Sequence, residues 1–82
     1  MTTIGYVDNV AMSPRRFYLE RLVDHSGVSG TGVVAWGVIF PDDVVALHWV
    51  GKLRSTAIYD NIDMLMQIHG HSGSTHLEML DR

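Results

Sequence analysis

Cysteine is absent from these 82 residues. That removes disulfide staples, thiol nucleophiles and cysteine-based zinc centres at once. A reducing cytoplasm is the natural setting. Only two prolines interrupt the chain, and no apolar run approaches the roughly 20 residues needed to span a bilayer. Met1 to Val10 has neither a basic region nor a long apolar run, so it lacks the form of a signal peptide. Basic residues are scarce as well. Six Lys and Arg stand against nine Asp and Glu, and their only adjacent pair is Arg15-Arg16. A surface that neutralises phosphates needs a basic stripe, so nucleic acid is not an expected partner.

What is present is apolar. Hydrophobic residues make up 46% of the chain and charged residues 18%. A chain of this size buries roughly 60–65% of its unfolded surface, which is enough for one domain with little margin. Residues 1–14 read as an N-terminal arm and residues 15–82 as a single small β-rich domain. From Arg16 to Val23 the residues alternate, with Phe17, Leu19, Arg21 and Val23 on one face. A loop over 25–32, rich in Gly and Ser, leads into two apolar runs, Val33 to Phe40 and Val44 to Val50. Pro41-Asp42-Asp43 between the runs makes them a hairpin. Both faces of the hairpin are largely apolar, as in strands buried on both sides or in a tight barrel. Gly37 within the first run suggests a bulge or a barrel bend.

A short fourth strand follows over Thr56 to Tyr59. A helix is expected next, capped by Asp60 or Asn61, stopped by Gly70 and carrying Ile62, Leu65, Ile68 and His69 on one stripe with Met66 nearby. A last strand runs from Thr75 to Leu80. The order is β-β-β-β-α-β. Two architectures satisfy it: a small SH3-like barrel, the first choice, or a strongly bent antiparallel sheet with one packed helix.

Reactive chemistry is thin. His69-Gly70-His71, with His76 near, resembles part of a metal site, yet structural zinc takes four ligands and often cysteines. A helix-capping His69 and a loop His71 explain the same residues, so no metal or cofactor is assigned. Ser29 sits in Gly27-Val28-Ser29-Gly30-Thr31, where a hydrolase elbow would need its second glycine one position later and a helix after it. No catalytic residue is assigned, and the expectation is a non-enzymatic protein. Gly27, Gly30 and Gly32 offer backbone N–H groups to an anion, although the Walker spacing and its lysine are missing. Trp36 and Trp49 occupy matching points of the hairpin. They read either as a cross-strand core pair or, with Tyr59, as a hot spot for a protein partner.

Several segments taken together resemble a known family. They are Val28-Ser29-Gly30-Thr31-Gly32-Val33-Val34-Ala35, the run to Phe40, Ala46-Leu47-His48-Trp49, Ser55-Thr56 to Asp60, and Ile68-His69-Gly70-His71. In this order, over residues 17–80, they are similar to small proteins without an assigned activity from actinobacteria, their bacteriophages and some haloarchaea. The resemblance implies Glu where this chain has Trp36, Arg where it has His48, and an Asp-Gly turn where it has Asp42-Asp43. The departures at 36 and 48 would delete a strand-to-strand ion pair.

Two functions follow as expectations. The first is a bacteriophage-type accessory protein that binds a host protein in the host-cell cytoplasm through a sheet edge or an apolar face, with Trp36, Trp49 and Tyr59 as the contact residues. The second is a small-ligand or nucleotide-binding module between the two Gly/Ser/His loops, using Ser29, Gly30, Thr31, His69 and His71. Apolar groups on both hairpin faces also lead to the expectation of a homodimer.

Overall fold

The computed structural model describes residues 13–24, 31–70 and 73–81. The expected arm over 1–14 lies almost wholly outside the described residues. Five strands and one helix follow in the expected order: β1 (Arg15–Arg21), β2 (Gly32–Ile39), β3 (Val45–Trp49), β4 (Ser55–Tyr59), α1 (Ile62–His69) and β5 (Thr75–Met79). All neighbours are antiparallel, in the spatial order β4-β3-β2-β1-β5. Among the described strands the sheet is open, with β4 and β5 as its two edges, so the SH3-like barrel is corrected to an open sheet with one packed helix among the described residues.

The β2–β3 hairpin closes through the Phe40 N–H on the Val44 carbonyl and the Asp43 N–H on the Phe40 carbonyl, both 2.8 Å. Asp42 helps by accepting the Val44 N–H at 3.2 Å. Asp43 carries the turn at φ 78°, in the left-handed region that Asp tolerates better than most side chains.

Register assigns every strand residue to a face. Phe17, Leu19 and Arg21 point inward from β1, joined by Ala35, Gly37 and Ile39 from β2 and by Val45, Leu47 and Trp49 from β3. A bulge between Leu19 and Glu20 shifts the β1–β2 register and buries both Val34 and Ala35. The irregularity expected at Gly37 therefore falls three residues earlier. Gly37 is required for another reason: a Cβ there would collide with the Phe17 ring, which lies across it.

The outer face is open, so the hairpin is not buried on both sides. Trp36 pairs with His48, is 46% exposed, and rests against Tyr18 with ring centroids 5.5 Å apart. Trp49 pairs with Ala35 and points the other way. The two tryptophans are one register step out of line, and one step reverses the face. Their expected cross-strand cluster does not form. Positions 36 and 48, where the resemblance implies an ion pair, are direct cross-strand neighbours.

The helix covers the inner face. Asn61 is its N-cap, with its side-chain oxygen accepting the Met64 N–H at 2.9 Å. Leu65 is fully buried among Phe17, Leu19, Val45 and Leu47, with Ile62 and Met66 packed beside it. Ile68, expected on the same stripe, is instead 57% exposed. Val23 lies beyond the end of β1 and is exposed as well.

The last strand is tied back to the first by charge. Arg16 donates its backbone N–H and its Nε to Asp81 Oδ2 at 2.9 and 2.8 Å, and its Nη2 to Oδ1 at 2.8 Å. These bonds, side chain first, hold the Asp81 carboxyl well below the ordinary carboxylate range, and they raise the Arg16 guanidinium in turn.

Candidate functional site at the end of the sheet

Period-2 alternation carries Arg21 onto the inner face behind Phe17 and Leu19, where an apolar residue would be ordinary. It is 5% exposed. Burying a guanidinium costs free energy unless polar or π partners replace water. Thr75, directly opposite on β5, accepts its Nε–H at 3.3 Å. Trp49 offers a ring face, with the guanidinium carbon 5.7 Å from its centroid. Among the described residues the ion pairs are Arg16–Asp81 and His76–Glu78, and Arg21 belongs to neither.

His69, the last residue of α1, meets the same tryptophan. Its ring stands edge-on to Trp49 at 4.8 Å and to Tyr59 at 5.8 Å. The Tyr59 hydroxyl lies 2.8 Å from His69 Nε2, which fixes the ring between two aromatic walls. Helix end and sheet end are thereby fastened together: Arg21, Trp49, Tyr59, His69 and Thr75 form one connected group of a cation, an imidazole, two hydroxyls and aromatic surface.

Backbone bonds bring the described ends of the two Gly/Ser/His loops to this same end. The Leu22 N–H binds the Ser74 carbonyl at 2.7 Å, and the Gly73 and Thr75 N–H groups both bind the Gly70 carbonyl at 3.1 Å. Gly32, with φ 89°, starts β2 opposite Arg21. Thr31 is exposed beside it. Of the residues expected to hold a ligand, Thr31 and His69 are at this end. Ser29, Gly30 and His71 lie outside the described residues.

The expected partner surface is divided. Trp36 is on the outer face, whereas Trp49 and Tyr59 flank His69 on the inner one, so the three do not form one patch. Sequence reading missed Arg21 and Thr75 as site residues. A charge at an inward position of an otherwise apolar alternation was the available signal.

The outer face holds a second feature, a groove of about 410 Å³. Arg16, Trp36, Val38, Ala46, His48 and Leu80 are among the residues that line it. His48 Nδ1 is held 2.7 Å from the Thr56 hydroxyl. Among the described residues, no group of three or more His, Asp or Glu is placed to hold a metal ion.

Fold and site together define a small, one-helix, open-sheet β-rich domain with a buried cation at one end. Residues 14–81 match the Acb5 phage protein family, and the chain belongs to that family. The phage association implied by the sequence resemblance is therefore shown. No curated protein and no solved structure matches the chain. Among the described residues no helix is long and apolar enough to cross a membrane.

Proposed function

We propose that this phage protein is an accessory protein of an actinobacteriophage, acting in the host cytoplasm by binding a small phosphate-bearing ligand of the nucleotide class at the end of its sheet. The observation that carries this reading is Arg21, a buried cation set on Trp49 beside a clamped imidazole and outside the described ion pairs. A guanidinium suits a phosphate oxygen, and its planar fork can take two of them. Trp49, Tyr59 and His69 offer ring surface to a base. Gly32, Gly70 and Gly73 at this end let a backbone approach closely.

Titration calorimetry with a nucleotide panel and inorganic phosphate tests the reading. Binding is expected for at least one nucleotide, weakened tenfold or more by Arg21→Gln and only partly retained in Arg21→Lys, which keeps the charge but loses the fork. Trp49 emission should respond to ligand in a Trp36→Phe background. The bound nucleotide should be recovered chemically unchanged. No binding across the panel removes the reading, and recovery of a converted product replaces a binding role with an enzymatic one.

A host-protein partner is the second reading, favoured by Trp36. A half-exposed tryptophan beside an apolar groove is the kind of residue that anchors protein interfaces. Trp36→Ala should abolish retention of such a partner while leaving nucleotide binding intact.

A further inference from the structure

The two sheet edges differ. β5 carries the carboxylate of Glu78, with His76 Nε2 2.9 Å from it, and its end is clamped by Arg16 and Asp81. Charges of this kind discourage further strand pairing. β4 has no such device: Ser55–Tyr59 contains no charge, proline or glycine, and Ile58 is 65% exposed. Among the described strands β4 pairs only with β3.

Hydrogen-bond alternation shows which backbone groups this leaves open. The Val50 N–H binds the Val34 carbonyl and the Phe40 N–H binds Val44, so His48 and Ala46 turn their backbone groups toward β2. Val45, Leu47 and Trp49 then turn theirs toward β4, opposite Tyr59, Ala57 and Ser55. Thr56 and Ile58 are left with N–H and C=O groups facing outward along the edge.

We infer that β4 pairs antiparallel with β4 of a second copy, about a two-fold axis at Ala57. This register sets Thr56 opposite the partner's Ile58 and so joins the outward-facing groups in reciprocal bonds. It also sets Arg54 opposite the partner's Asp60, twice by symmetry. Both residues are exposed, and neither takes part in the ion pairs of the described residues. The segment from Arg54 to Asp60, basic at one end, acidic at the other and uncharged between, is complementary to itself when reversed. Shifting the register by two residues would keep backbone bonds and lose both ion pairs. The result is a continuous ten-stranded sheet with the Ile58 side chain covered on the outer face.

Sedimentation of the full chain at hundreds of micromolar tests this, read against the 9.2 kDa of one copy. A mass twice that value is expected, with the Thr56 and Ile58 amides protected from exchange. Ile58→Lys should halve the mass with the circular dichroism spectrum unchanged. Arg54→Glu should weaken association at least tenfold, and Arg54→Glu with Asp60→Lys should recover it. A monomeric wild type overturns the inference. So does a dimer indifferent to Ile58→Lys, or a charge swap that fails to recover association.

Discussion

Asp43 shows how a single backbone angle accounts for a residue preference. Its φ of 78° lies where a side chain crowds the following carbonyl. The sequence resemblance implies glycine at this position, and glycine takes the angle without that crowding. Asp43→Gly should therefore stabilise the fold by about 0.5–1 kcal/mol, net of the extra freedom it gives the unfolded chain. The urea midpoint should rise with an unchanged slope. Arg21 gives the complementary lesson. Its position on the inner face was legible from alternation with Phe17 and Leu19. Its partners were not, because Thr75 and Trp49 come from strands 54 and 28 residues further along the chain, and only pairing brings them near.

At the level of elements, β5 is held to β1 by backbone bonds and by the Arg16–Asp81 clamp. Because folding depresses the Asp81 pKa, the clamp is fully present above the ordinary aspartate range, near 4, and is lost as pH falls through the depressed value. The stability gap between wild type and Asp81→Asn should be flat around neutrality and close in acid. Salt should narrow it, since Arg16 is mostly exposed. A gap that persists at low pH would show that the clamp does not depend on the carboxylate charge. The elements themselves were largely legible: order, types and a cap at Asp60 or Asn61 follow from alternation and local chemistry. Closure was not. Whether β4 meets β5 depends on how far five short strands curl, and the bulge at Val34 and the packing of Phe17 over Gly37 set that locally.

For the whole molecule, one helix covers one face, and Leu65 is its only fully buried side chain among the described residues. A domain of this length is stable by roughly 4–12 kcal/mol. Leu65→Ala removes about 2–5 kcal/mol, so thermal unfolding should shift steeply downward. Loss of the His69–Tyr59 contact should accompany it, since helix and sheet end are joined there. A shift of only a degree or two would mean that the helix contributes little to the core.

By itself, the sequence determined the strand–helix order, the hairpin and the absence of thiol chemistry, because all of these rest on composition or on neighbours within a few residues. Tertiary structure decided the rest. An open sheet rather than a barrel, Trp36 facing out while Trp49 faces in, and Arg21 gathered with Trp49, His69 and Thr75 all depend on register between distant strands. A single-residue step there reverses a face, and local chemistry carries no record of that step.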